Sequence, residues 1–312
     1  MIKDKRIIIL GAGGFIGSHM VQRLEEDNHV VGVDIEWDNY IEFSGKHKRL
    51  TIDLRDKYVC REALKGYDYV FNFAANMGGI GYISSVGADV VYDNSMINLN
   101  VINACMTHGI EKLFFSSSAC VYPVRGVRPF KEADAIPASP DNFYGWEKLY
   151  NEQVLEAFRR DYGMTIRIGR FHNIYGPYGT YDGGREKVPA ALCRKIVKSE
   201  GNLEIWGDGQ QVRSFCYIDD CIDGVIKLMM SDYYWPLNIG SDRAVTIEEL
   251  ADMIIKISGK DINKIFDIYK PMGVRVRNAD LHLVKKKIGW SPRVPLETGL
   301  KRTYEWIKKV IS

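Results

Sequence analysis

The chain has 312 residues, 46% of them apolar, and its 42 lysines and arginines against 40 acidic residues leave a net charge of +2. That length predicts one large α/β domain with a smaller companion and a core that needs no disulfides. The near-neutral balance, with no basic run interleaved with aromatics, argues against nucleic acid as a partner, and no apolar run approaches the roughly 18 residues of a membrane span.

Residues 6–10 predict a first strand, too short for a signal-peptide core, that feeds Gly11-Ala-Gly-Gly-Phe-Ile-Gly17 and an amphipathic helix with Met20, Val21 and Leu24 on one face. Such glycines let the backbone approach a pyrophosphate, whose charge the helix N-terminus meets, so Gly11, Gly14, Phe15, Ile16 and Gly17 are cofactor candidates. The second strand, 29–33, ends at Asp34, whose carboxylate would accept hydrogen bonds from both adenosine ribose hydroxyls and repel a 2′-phosphate, favouring NAD over NADP. A third strand closing at 50–54 places Asp53 and Leu54 by the adenine, and a fourth, 68–75, delivers Ala74 and Ala75 to the cofactor.

The Asn76-Met-Gly-Gly-Ile-Gly-Tyr82 stretch reads either as a loop whose backbone approaches a ligand or as a plain connection. A helix over 88–108, with Met96, Leu99, Val101 and Ile102 periodic, leads to the run Leu113, Phe114, Phe115 and then Ser116-Ser-Ser-Ala-Cys-Val-Tyr-Pro123. Ligands of open parallel sheets lie beyond the carboxyl ends of strands, so Ser118 and Cys120 stand where chemistry is expected. Tyr144 and Lys148 are four apart on a predicted helix and share one face. There the ammonium, with a positive nicotinamide ring, would lower a phenol pKa of about 10 and make it a base, with Ser118 sharing the proton.

After a sixth strand, 165–171, the periodicity breaks into a loop suited to a substrate lid, from Asn173 through Lys187. The stretches 203–209 and 213–220 read as a strand, a turn and a returning strand. A helix (221–230), a strand (237–240), an amphipathic helix (247–257), a polar cluster of Arg275, Arg277, Asn278 and Asp280, and a closing helix (296–311) follow, with Lys285 to Lys287 on a solvated face. The six cysteines have no CxxC spacing, which predicts reduced thiols in a cytoplasmic protein and no metal site. The expected fold is a Rossmann doubly wound parallel sheet, residues 1–172 with 211–239, carrying a smaller α/β substrate-binding domain, residues 173–210 with 240–312.

The glycine turn, Asp34, Asp53, Ser118, Tyr144-x-x-x-Lys148, Gly207-Asp-Gly209, Arg213 and Arg275-x-Arg277 together resemble the extended short-chain dehydrogenase/reductase family in its nucleotide-sugar-modifying branch. Four stretches, Asn76 to Gly81, Ser117 to Pro123, Gly169 to Pro177 and Gly183 to Ala191, are similar to the GDP-mannose 3,5-epimerases within it. The resemblance implies an isomerase with tightly held NAD, a GDP-sugar substrate, and a homodimer built from helices 88–108 and 144–162 of each subunit. It also implies that Cys120 and Lys187 are the base and acid that invert carbons 5 and 3 once carbon 4 is a ketone. By the same resemblance Met77, Gly78, Gly79, Ser118, Asn173, Lys187, Lys195, Arg213 and Arg275 hold the substrate. The chain departs from plant members in starting close to its first strand and at Ile80, near Tyr82 and Ser84, in the loop facing the sugar. Two other readings stay open. One is an NADPH-dependent 3,5-epimerase/4-reductase of GDP-4-keto-6-deoxymannose, whose acid is a histidine; the other is an NAD-binding sensor without catalysis.

Overall fold

The computed structural model describes residues 2–37, 47–124, 128–270 and 273–312. Strand β1 (Arg6–Leu10) passes through a glycine turn into α1 (Phe15–Leu24), which returns the chain to β2 (His29–Asp34) and then β3 (Lys48–Thr51). Helix α2 (Lys57–Ala63) leads to β4 (Tyr69–Asn72), the short α3 (Ile80–Ser85), the long α4 (Gly87–His108) and β5 (Lys112–Ser118). Next come α5 (Phe143–Tyr162), β6 (Ile166–Phe171) and β7 (Ile174–Tyr175).

Among the described residues β1 to β6 and a later strand, β11 (Leu237–Ile239), form a sheet in the order β11-β6-β5-β4-β1-β2-β3, every pair parallel. Helices on both faces explain why the central strands are continuous apolar runs: Ile7, Ile8, Ile9 and Leu10 are all fully buried. The order reverses at β1 and β4, and a ligand of such a sheet lies beyond the strand ends at that switch point.

The remaining chain builds the second lobe. Helix α6 (Val188–Lys198) precedes β8 (Asn202–Trp206), β9 (Val212–Ser214) and β10 (Cys216–Tyr217), and α7 (Ile218–Met230) then recrosses to β11 (Leu237–Ile239). The chain finishes with β12 (Ala244–Thr246), α8 (Ile247–Ser258), β13 (Asn263–Asp267), β14 (Val276–Arg277), α9 (His282–Ile288) and α10 (Leu296–Ile311). Helices α6, α8 and α10 pack on one another, and one apolar cluster runs from Ile7 and Ile9 of the large sheet through Ile218 and Val225 to Leu192, Ile254 and Leu300.

Three local expectations are corrected. β8 and β9 are not strand and returning strand: β8 pairs in parallel with β13, whereas β9 pairs with β12 and β14, because both partners arrive from later in the chain. The fourth strand stops at Asn72, whose side chain turns to bond Asn98 and the amide of Ala74. The glycine-rich loop carries a helical turn, α3, entered at Gly79.

A buried ion pair ties β6 to α5. The Arg170 guanidinium donates to both oxygens of Glu152, at 2.9 and 2.6 Å, and to the carbonyl of Glu132 at 2.7 Å, with both side chains almost wholly out of solvent. Breaking such a pair leaves a buried charge uncompensated. We expect Arg170→Met to lower stability by about 3 kcal/mol, read as a lower urea midpoint at unchanged slope.

Candidate active site

The cleft beyond the strand ends has a volume of about 710 Å³. Its floor is the glycine turn, where Gly11 sits at φ +79° and a Cβ on Gly17 would lie 2.0 Å from the Gly11 carbonyl oxygen. No side chain caps the start of α1, so backbone alone meets whatever lies there. Asp34 closes one end: it accepts from the amides of Gly13 at 2.8 Å and Ile35 at 2.7 Å, and burial pushes its carboxyl above the usual range. Gly14, Phe15, Ile16, Asp53, Leu54, Ala74 and Ala75 continue the wall, and Met77, Gly78, Ser118, Tyr144 and Lys187 complete it toward the second lobe. Asp53 is held by Arg55, which also pairs with Asp93, and the Arg55 guanidinium keeps the Asp53 carboxyl low.

The reactive cluster is built by two elements pressed together. β5 ends at Ser118, whose hydroxyl accepts from the Cys120 amide at 3.2 Å and starts a single turn, Ala119–Val121. A Cβ on Gly145 would come within 2.1 Å of the Cys120 carbonyl oxygen, so the first turn of α5 packs directly on that turn. Asn142 caps α5 by accepting from the Gly145 amide at 2.8 Å. Tyr144 is thereby buried beside Ser118, and the Lys148 ammonium lies 5.5 Å from the centre of the Tyr144 ring. Below it the Glu147 carboxylate, bonded by Asn98 and Asn151 at 2.8 Å each, stands 4.0 Å from Lys148.

The expected lowering of Tyr144 is reversed in the chain by itself: burial pushes the phenol well above its ordinary value, with Cys120 and Glu147 adding to the rise, and only the bond with Ser118 opposes it. Burial also lowers the Lys148 ammonium against the pull of Glu147 and Glu152. Lys187, at the N-terminus of α6, is lowered by burial too, while the charges of Cys120 and Cys221 work to keep its proton.

Other expected residues lie beyond the lining of the cleft, although the Arg213 charge is felt at Cys120. Asn173, at φ +43°, donates to the Ser214 carbonyl, and Arg213 donates to the carbonyls of Val212 and Val274, its charge depressed to about 10 chiefly by burial. Lys195 is paired with Glu204 and Arg275 with Asp208, and neither lines the cleft. Gly79 leaves no room for a Cβ, which would sit 2.6 Å from the Glu186 carbonyl oxygen. The side chain of Ile80 lies outside the described residues. Residues that the sequence did not nominate are Asp141, Glu147 and Arg277: the Arg277 guanidinium donates to Cys120 Sγ at 3.5 Å and to Asp141 at 2.9 Å. Their signals were present, in Glu147 beside Lys148 and in the Arg275-x-Arg277 pair, but nothing in the spacing brings residue 277 to residue 120.

These residues suit a dinucleotide. The glycine floor has room for a pyrophosphate where side chains would not fit, Asp34 offers a carboxylate at a strand end, and buried Lys148 Nζ has no hydrogen-bond partner among the described residues. We expect Asp34→Asn to weaken NAD binding about tenfold and to narrow its preference over NADP, checked by titration calorimetry with both nucleotides.

Comparison with known proteins agrees. Residues 7–240 match the model of the NAD dependent epimerase/dehydratase family. GDP-mannose 3,5-epimerase 1 of Oryza sativa subsp. japonica is 44% identical over 314 residues, covering 98% of this chain and 82% of the rice protein. A GDP-L-fucose synthase of Sinorhizobium fredii is 32% identical, covering 98% of this chain and 96% of its own. Among solved structures, a UDP-glucose 4-epimerase of Thermotoga maritima, determined with UDP-glucose, superposes with a TM-score of 0.91 at 28% identity over 98% of this chain and 99% of that one. No helix among the described residues is long and apolar enough to cross a membrane. With the switch-point cleft, the glycine floor and the Ser118/Tyr144/Lys148 cluster, these matches show that the chain belongs to the NAD-dependent epimerase/dehydratase family.

Proposed function

We propose that this chain is a GDP-mannose 3,5-epimerase, converting GDP-D-mannose to GDP-L-galactose, with GDP-L-gulose as the product of inversion at carbon 5 alone. The observation that carries the reading is the meeting of a second candidate acid–base couple with the Ser118/Tyr144 pair: Ser118, Tyr144 and Lys187 line one cleft, and Cys120 packs against the cluster that holds Tyr144. A 4-epimerase needs only the first pair. Inversion at carbons 5 and 3 needs a base on one face of the ring and an acid on the other.

Bound NAD supplies the hydride acceptor and donor at carbon 4. Tyr144 takes the carbon 4 hydroxyl proton with Ser118 sharing it; the bond with Ser118 opposes the burial that holds the phenol protonated, and the Lys148 ammonium lies 5.5 Å from the ring. Protons on carbons 3 and 5 become acidic next to the ketone. At each carbon in turn Cys120 removes the proton and the Lys187 ammonium returns one from the opposite face.

Met77, Gly78 and Gly79 face the sugar in this reading, while Asn173, Lys195, Arg213 and Arg275 hold the sugar and diphosphate. Lys195 and Arg275 would release Glu204 and Asp208 to do so, an exchange that costs little at an exposed pair. The reading also assigns residues 1–172 with 211–239 to the cofactor lobe and 173–210 with 240–312 to the substrate lobe, although β9 pairs within the second lobe's small sheet. It makes the protein a cytoplasmic homodimer. Tyr92 and Leu99 on α4 and Trp146 and Tyr150 on α5 are exposed on two helices that pack together, which supports pairing with a second copy. The keto-sugar reductase reading is disfavoured by Asp34, which repels the 2′-phosphate of NADPH, and by Lys187 in place of a histidine acid.

Two variants test the assignment. With GDP-mannose in heavy water, Cys120→Ala is expected to take up no deuterium at carbons 3 and 5 while reduced cofactor still forms at 340 nm, and Tyr144→Phe to show neither. Deuterium uptake by Cys120→Ala at the wild-type rate would remove the thiol from its role as base.

A further inference from the structure

We propose that Arg277, held in place by Asp141, is a positioning residue that orients the Cys120 sulfur and supplies the counter-charge of its thiolate. The inference rests on Cys120 being the base of the proposed reaction.

Three observations converge on it. First, the Arg277 guanidinium donates through Nη1 to Cys120 Sγ at 3.5 Å and through Nη2 to Asp141 at 2.9 Å, so the carboxylate fixes the plane of the fork and the sulfur lies on its other arm. Second, the pair is interior: both side chains are only 10% exposed, and Arg277 Nε is buried with no hydrogen-bond partner among the described residues. An arginine stationed there with a donor unused is costly as a purely structural device. Third, Asp141 also accepts from Asn142 Nδ2 at 2.8 Å, and Asn142 caps α5. The same carboxylate therefore registers the Cys120 turn against the helix that carries Tyr144 and Lys148.

The groups facing Cys120 come from several elements: Tyr144 from α5, Lys187 from the start of α6, Arg213 from β9 and Arg277 from β14, with Asp141 behind Arg277. Of the three cations, Lys187 is reserved by the reading above for returning the proton, and Arg213 spends its donors on the carbonyls of Val212 and Val274. Arg277 alone has a hydrogen bond to the sulfur among the described residues. A guanidinium there places a positive donor directly on the sulfur that is to take the sugar proton.

The test needs no sugar. Alkylation of Cys120 by iodoacetamide is followed by mass spectrometry of its peptide across roughly pH 6 to 9, where a thiol passes to its reactive thiolate. The five other cysteines are buried and report on folding, since they react only if the chain opens. We expect Arg277→Gln to slow alkylation at neutral pH about tenfold and to move its rise to higher pH, with Asp141→Asn shifting it in the same direction by less. If the glutamine variant does not fold, Asp141→Asn carries the test, and wild-type alkylation in it at every pH would then overturn the proposal. Wild-type alkylation at every pH in Arg277→Gln would overturn the proposal; so would unchanged alkylation with a raised KM for GDP-mannose, which would make Arg277 a ligand of the substrate diphosphate. Neither result bears on whether Cys120 is the base, which the deuterium uptake of Cys120→Ala decides.

Discussion

The site depends on one close approach, that of the first turn of α5 to the turn after β5. Residue 145 is glycine because its Cβ would lie 2.1 Å from the Cys120 carbonyl oxygen, and that contact sets Tyr144 beside Ser118 and carries Lys148 one helical turn deeper. Everything in the cleft is referred to that joint. Asn142 caps the helix at it, Asp141 extends from it to Arg277, and Phe115 beneath it underlies the Lys148 ammonium, 4.9 Å from the ring centre.

Burial around the joint explains the charges. Tyr144, Lys148 and Lys187 are all pushed toward their neutral forms by desolvation, and each is pulled back or pushed further by a specific neighbour. In such surroundings a small change in nearby charge moves a proton, which is what a reaction alternating between hydroxyl and ketone requires. The interior answers the remaining polar groups with amides: Asn72, Asn98 and Asn151 form a chain to Glu147, and Asn238 joins Tyr122 and His172. Burial, with the Arg277 and Arg170 charges adding to it against the bond to Asn238, holds His172 down to about 4, so the ring stays neutral.

The large sheet was legible because its signals are local. Apolar runs such as Ile7 to Leu10 and the glycine turn each lie within a few residues, and the final helix, 296–311, matches its apolar periodicity. The second lobe was less so: β8 and β9 are short and adjacent, and only partners 60 residues away distinguish parallel pairing with β13 from a hairpin. At the site, Ser118, Tyr144 and Lys148 could be found by spacing on known elements, and Cys120 and Lys187 by resemblance. Arg277 and Asp141 could not be placed, since their roles arise from a 136-residue separation that the fold closes. The raised Tyr144 phenol was also missed, because spacing counts the nearby ammonium but not the loss of water.

The central claim is that one site oxidises carbon 4, exchanges protons on its neighbours and restores the hydroxyl without consuming reductant. The most direct test incubates the purified protein with GDP-mannose in heavy water, with no added cofactor, and reads carbons 3 and 5 by NMR. The account predicts deuterium at both carbons together with new GDP-hexose isomers. Retention of protium at both carbons by a protein shown to carry NAD would contradict it.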